Sequence, residues 1–138
     1  MGLADRVAAR FRPRHPLGEG LWRGDFDRVD RASQRVLQVL AHQGSEAPEL
    51  VEQVTQVREL VWRCCAAALE RAPGADRDVP GDDDLATVHH ELSRAATSVA
   101  QAAQALVIAA GDPAAADRAV AQAAARARTA AQALRLPG

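Results

Sequence analysis

Four stretches of this sequence place apolar residues three and four positions apart, and this spacing limits the possible folds more than any other feature. The spacing matches the helical period of about 3.6 residues, so each stretch can bury one stripe of an α-helix. We predict helices over residues 25–43, 46–71, 83–110 and 113–136. Because short polar breaks separate most of them, the pattern predicts an all-α, antiparallel up-down-up-down four-helix bundle in residues 25–138.

The inner stripes define the predicted core. In the first two helices they are Phe26, Val29, Ser33, Val36, Leu37 and Leu40, then Leu50, Val54, Val57, Val61, Cys64 and Ala68. In the last two they are Leu85, Val88, Leu92, Ala96, Val99, Ala103 and Leu106, then Ala116, Val120, Ala123, Ala127, Ala130 and Leu134. Because alanine dominates the last stripe, we expect the axis of that helix to approach its neighbours closely.

Glycine, proline and acidic residues mark the predicted helix ends. Gly44 is predicted to stop the first helix and Ser45 to cap the second. The three aspartates at 82–84 are predicted to satisfy free amides at the start of the third helix, with a metal site as the alternative interpretation. The Gly-Asp-Pro sequence at 111–113 is typical of a compact break between two helices.

Residues 1–24 are predicted to form a short amphipathic arm and cap. Leu3, Val7 and Phe11 share one helical face, which could pack on the bundle or touch a membrane surface or a partner. The same arm offers a way of binding RNA or DNA, through Arg6, Arg10, Arg12, Arg14 and Arg23. Apart from Phe11 and Trp22 it lacks the aromatic residues that commonly stack on bases, so nucleic-acid binding ranks third among the possible functions.

The composition narrows the setting in which such a chain would work. Lys and Arg number 17 against 18 Asp and Glu, so no overall field attracts nucleic acid or a membrane. The absence of Lys, Asn and Tyr indicates a GC-rich, bacterial genome. The adjacent Cys64 and Cys65 fit a reducing compartment better than a disulfide framework. With no membrane-spanning apolar run and no secretion signal, the expected location is the cytoplasm.

Two adjacent histidines and a glutamate, residues 89–91, stand out on the third predicted helix. A step of about 100° per residue directs His89 into the apolar arc, His90 outward and Glu91 to the opposite flank. Neighbouring residues that diverge in this way cannot hold one metal ion together. Arg35 and His42 match the Arg–His spacing of helical ribonucleases of the HEPN type, but so many arginines make a chance match easy.

Residues 84–99, DLATVHHELSRAATSV, resemble the phosphoacceptor box of histidine-kinase dimerisation and histidine phosphotransfer domains. The matching residues are Leu85, Ala86, Val88, His90, Glu91, Leu92, Thr97 and Ser98. Ser93, Arg94 and Ala95 depart from the usual Arg, small polar residue and Pro. The resemblance implies that His90 accepts a phosphoryl group with Glu91 as its helper. It implies a bundle phosphorylated by a partner rather than one that uses ATP itself.

The sequence therefore favours a non-catalytic bundle that binds another protein or a second copy of itself, as adaptor or scaffold. No set of nucleophile, base and oxyanion donors can be assembled from the sequence, which argues against an enzyme. Phosphotransfer through His90 and Glu91 is the alternative. No pattern indicates a cofactor, a metal or a small-molecule ligand, and no residues can be assigned to partner binding.

Overall fold

The computed structural model describes residues 15–73, 81–108 and 113–137. These ranges contain the helices α1 (Leu21–His42), α2 (Pro48–Arg71), α3 (Asp83–Val107) and α4 (Pro113–Ala133). They contain no strand, and the helices pack against one another, so the predicted all-α four-helix bundle is confirmed. Residues 1–14 of the predicted 1–24 arm and residues 111–112 of the predicted 111–113 break lie outside the described residues.

The first helix, α1, begins at Leu21 rather than near Asp25, because its apolar stripe extends one turn further back. Trp22 lies four residues before Phe26, shares its face and is fully buried. The preceding loop adds Leu17 to the same core. The predicted domain boundary after residue 24 therefore falls inside a helix.

The turn between α1 and α2 is closed by backbone groups. Gly44 ends α1 as predicted, with a φ of 62° in the left-handed region that favours glycine, and Ser45 donates its N–H to the Leu40 carbonyl at 3.0 Å. The prediction that Ser45 caps α2 is wrong. Ala47 is at the N-cap position without a side-chain hydrogen bond, and Pro48 begins the helix. Proline suits this first position because it needs no partner for an N–H there.

The start of α3 is capped by a side chain, as predicted. The carboxylate of Asp82 accepts hydrogen bonds from the backbone N–H groups of Asp84 at 2.8 Å and Leu85 at 3.1 Å. This satisfies two amides that the helix itself leaves free. At the other end α3 stops at Val107, and Ile108 already has an extended backbone, so the helix is shorter than predicted.

The core follows the predicted stripes, with two exceptions. All the predicted inner residues of α2 and α3 are buried, and so are those of α4 up to Ala130. Leu37 of α1 is 38% exposed, and Leu134 beyond α4 is half-buried. Cys64 and Cys65 are buried free thiols, which agrees with their prediction as small core residues.

Successive helices run in opposite directions and form two hairpins, α1–α2 and α3–α4. The hairpins pack side by side, so that α1 runs parallel to α3 and α2 runs parallel to α4. Each of α1 and α4 packs against both α2 and α3. The amide of Gln43, just beyond α1, donates to the carbonyl of Leu106 near the end of α3, at 2.6 Å. Cys64 of α2 similarly contacts the Ala127 carbonyl of α4. Thus α1 and α3 are parallel neighbours, which a bundle with only antiparallel neighbours would not contain.

Candidate functional site

The structure separates the two residues that the resemblance to phosphoacceptor domains singled out. His90 is exposed on the outer face of α3. Glu91 is only 8% exposed and faces α4, where Arg126 lies 3.3 Å from its Oε2. Their side chains diverge as the helical step requires, so the two are not brought together.

The neighbouring His89 belongs to a different environment, at the contact between α1 and α3. Its Nδ1 lies 2.7 Å from Oδ2 of Asp25, which is completely buried, and its own side chain is 22% exposed. Trp22 meets the imidazole edge-on, with 6.4 Å between ring centroids. Since an ionised carboxylate can only accept, Nδ1 carries the proton whenever Asp25 is charged. The sequence prediction that His89 points inward is confirmed.

Asp25 has partners for both carboxylate oxygens. Arg28, one turn further along α1, binds Oδ1 and also donates to the hydroxyl of Ser93 on α3 at 3.3 Å. Burial raises the pKa of Asp25 above its ordinary value, and the hydrogen bond and charge of His89 and the charge of Arg28 only partly oppose this. We call Asp25, Arg28, His89 and Ser93 the Asp25 cluster.

Three further buried groups, two thiols and an indole, lie on the helices around the cluster. Burial raises the pKa of the Cys65 thiol on α2, and the nearby charge of Asp25 raises it further. The adjacent Cys64 has its pKa raised to about 11, again by burial. Such thiols are poor nucleophiles at neutral pH. The indole Nε1 of Trp22 is buried without a hydrogen-bond partner in the described part of the chain.

Beyond the cluster, the seam between α1 and α3 opens into a surface depression, which we call the α1–α3 groove. Its lower part, about halfway along the two helices, is a cleft of about 350 Å³. Arg28 and Arg31 form one wall and the hydroxyl-bearing Ser93 and Thr97 form the other. The remaining lining residues are alanines, namely Ala32, Ala96 and Ala100.

The same seam opens again near the C-terminal ends of the two helices. This upper part, about 430 Å³, is lined by Arg35, Gln38, Val39, His42, Gln43 and Val107. Val107 is 54% exposed and the adjacent Ile108 is 58% exposed. Arg35 and His42, the pair with ribonuclease-like spacing, therefore both line an open surface.

The α1–α3 groove has a positive character that the overall charge of the chain hides. None of its described lining residues is acidic, and α3 contains no acid after Glu91. Of the acids on α1, Asp25 is buried and pairs with Arg28, Asp27 pairs with Arg23, and Asp30 pairs with Arg58 of α2 at 2.6 Å. Arg31 and Arg35 form no ion pair with any described residue and remain exposed.

Other predicted site residues show no convergence. Arg23, the one arginine of the proposed nucleic-acid arm that is described, pairs with Glu19 at 2.6 Å and with Asp27 at 3.6 Å. Within the described ranges no three His, Cys, Asp or Glu side chains are grouped as metal ligands would be. None of the described helices is both long and apolar enough to cross a membrane.

Asp25, Arg28 and Arg31 were not among the residues predicted from the sequence, and Arg35 was singled out only for its spacing to His42. Asp25 follows Trp22 by three residues and precedes Val29 by four. This spacing could have predicted that Asp25 lies on the inner face of the helix. An acid on one inner face and His89 on another could have suggested a pair. The groove left no such signal, because it depends on which helices become neighbours.

No family model matches the chain, and no curated protein or solved structure is significantly similar to it.

Proposed function

We propose that this chain is a protein-binding bundle whose α1–α3 groove holds an acidic helical segment of a partner protein. The observation that carries the proposal is a groove whose described lining includes three arginines and no acid. Arg31 and Arg35 pair with no acid among the described residues, so the partner's carboxylates would not have to displace an ion pair with any of those residues.

The shape of the groove suits a helix. Its alanine floor allows another backbone to approach closely, and Arg28, Arg31 and Arg35 follow one another by three and four residues along α1. A partner helix with carboxylates at the same spacing would meet all three. At the upper end, the exposed Val107 and Ile108 offer an apolar contact for the same segment.

A protein partner fits the charge distribution better than a nucleic acid. Binding of a nucleic acid relies on neutralising many phosphates, whereas this chain has a net charge of −1. An exposed apolar stripe on α4, which would favour self-association, is also lacking, since the Val120 stripe is turned inward. The buried free thiols of Cys64 and Cys65 support a reducing location such as the cytoplasm.

The proposal is tested with a fluorescent helical peptide that carries glutamates at three-and-four spacing on an alanine background. Removing two charges with Arg31→Gln and Arg35→Gln together should weaken binding at least about tenfold, because two charge-assisted contacts are lost. The matched control is Arg118→Gln with Arg128→Gln, which removes the same charge from exposed positions of α4. Fluorescence anisotropy measures the affinity of each variant.

Three results would overturn the proposal. The peptide could fail to bind the wild-type chain, or the α4 double variant could lose as much affinity as the groove variant, which would indicate a general charge effect. A DNA or RNA oligonucleotide that binds more tightly than the peptide, with loss on the same groove variant, would assign the groove to nucleic acid.

We propose phosphotransfer through His90 as the second candidate function, because the exposure of its imidazole favours it. Arg94, one turn further along α3, is exposed on the same side and could attract the donor phosphate. Glu91 could act as the helper only if its ion pair with Arg126 opened.

Incubation with phosphoramidate should give an acid-labile label on His90. The label should be lost in His90→Gln and kept in His42→Gln. Absence of label, or label on His42 instead, would eliminate this function.

A further inference from the structure

The lower part of the α1–α3 groove places arginines and hydroxyl groups on opposite sides of one cleft. Arg28 and Arg31 lie on the α1 side, and Ser93 and Thr97 lie on the α3 side. We infer that this cleft binds a phosphoryl group, carried by a phosphorylated serine or threonine of the partner segment. The inference rests on the proposed function and adds to it the chemical class of the residue recognised.

The hydrogen-bond donors of the cleft favour a phosphoryl group over a carboxylate. The Thr97 hydroxyl donates its proton to the Ser93 carbonyl at 3.2 Å, so Thr97 lines the cleft but offers no donor to a bound group. Ser93 accepts from Arg28, and its own proton has no acceptor among the described residues. Two guanidinium forks and one hydroxyl donor on opposite walls match three phosphoryl oxygens better than the two oxygens of a carboxylate.

Arg28 connects the cleft to the buried Asp25. Its guanidinium binds Asp25 and reaches Ser93, so Asp25 already occupies part of the donor set that an incoming phosphoryl group would use. The groups facing Asp25 are Arg28 from α1, His89 from α3 and the Cys65 thiol from α2. Asp25 therefore competes with an incoming phosphoryl group for the guanidinium of Arg28.

This competition predicts that phosphoryl binding is linked to proton uptake. When a phosphoryl group draws Arg28 away, Asp25 keeps His89 as its partner but loses a compensating positive charge, so a proton binds there more readily. Burial already raises the pKa of Asp25, which makes such uptake less costly. Asp25→Asn removes the competing charge while retaining an oxygen that can accept from His89, and it should therefore tighten phosphoryl binding.

The test uses the glutamate–alanine peptide with one central serine, in unmodified and phosphorylated forms. With the 138-residue chain, the phosphorylated peptide should bind about tenfold more tightly, as expected for charge-assisted bonds to a dianion. Arg31→Gln should abolish this preference, Ser93→Ala should reduce it, and Asp25→Asn should increase it. Arg118→Gln on α4 is the control that should leave the preference unchanged. Titration calorimetry in buffers of different ionisation enthalpy measures the protons taken up.

Equal affinity for the two peptides, in both the wild-type chain and Arg31→Gln, would overturn the phosphoryl site and leave the acidic-segment proposal standing. If neither peptide binds, both proposals fail. Inorganic phosphate that binds as tightly as the phosphorylated peptide would assign the cleft to a free anion and overturn the assignment to a partner's side chain. Unchanged or weaker phosphopeptide binding by Asp25→Asn, when its fold is intact by circular dichroism, would contradict the competition.

Discussion

Asp25 is a charged residue enclosed by the packing of three helices. Its carboxylate is fully buried between His89 and Arg28, and the Cys65 thiol of α2 lies near enough to respond to its charge. Burial raises the pKa of Asp25, so the cost of removing the carboxylate from water exceeds what its two partners return. The cluster therefore specifies how α1 meets α3 more than it stabilises the bundle.

The raised pKa of Asp25 has a definite consequence for stability. The folded chain holds the Asp25 proton more tightly than the unfolded chain, so this group stabilises the fold below its ordinary pKa of 3.8. That contribution is lost as the pH rises through the folded pKa. Asp25→Asn does not titrate, so its free energy of unfolding relative to the wild type should increase over this rise and then level off. Urea unfolding at a series of pH values measures it.

The matched control for this pH dependence is Asp27→Asn, because Asp27 is partly exposed and its ion-pair partner among the described residues is Arg23. It should show a smaller change over the same range. A free energy of unfolding of Asp25→Asn that falls relative to that of the wild type as the pH rises would contradict the prediction. It would mean that the attraction of Arg28 and His89 outweighs the burial of the carboxylate.

Among the elements, the helices could be predicted because each is encoded by local spacing. The α3 stripe from Leu85 to Leu106 was predicted residue by residue, and the caps at Gly44 and Asp82 follow from local chemistry. The start of α2 was misplaced because Ser45 is a good cap in isolation, while Pro48 fixes the actual first position. Local sequence preference alone could not determine whether α2 is capped by Ser45 or begins at Pro48.

The candidate site was far less predictable than the helices. The direction of His90 and the inward turn of His89 follow from the helical step alone. The pairing of His89 with Asp25 requires α1 and α3 to be parallel neighbours, and the sequence pattern predicted antiparallel ones. The groove between Arg31 and Ser93 also exists only because α1 and α3 are neighbours. That packing is determined by contacts between residues distant in sequence.

The side-chain cap that Asp82 provides for α3 can be tested by mutation. Asp82→Ala removes the acceptor for two backbone N–H groups and should lower the free energy of unfolding by about 1 kcal/mol, the usual cost of losing a side-chain cap. Asp83→Ala removes the same charge one residue later, where no cap bond is made, and should cost less. Urea denaturation followed by circular dichroism compares the two, and equal losses would show that charge at the helix end, and not the cap, is what matters.

In the whole molecule, the two hairpins share one core, in addition to the interface between the two helices of each hairpin. Every helix packs against at least one helix of the other hairpin, and buried residues from all four form a single cluster. The thin α4 contributes mainly alanines, so its one buried valine, Val120, supplies a large share of its apolar area. Cooperative unfolding is expected of such an arrangement.

This cooperativity can be tested from α4, because both tryptophans lie in the first hairpin. Val120→Ala should lower the stability by about 2 kcal/mol, from two lost carbon atoms and the small cavity left behind. If the bundle unfolds as one unit, the fluorescence of Trp22 and Trp62 should shift its urea midpoint as much as the circular dichroism signal does. Val51→Ala, at a valine that is 37% exposed, is the control and should shift neither by much. A fluorescence midpoint that stays at the wild-type value while the circular dichroism midpoint falls would mean that α1 and α2 remain folded after α3 and α4 have separated from them.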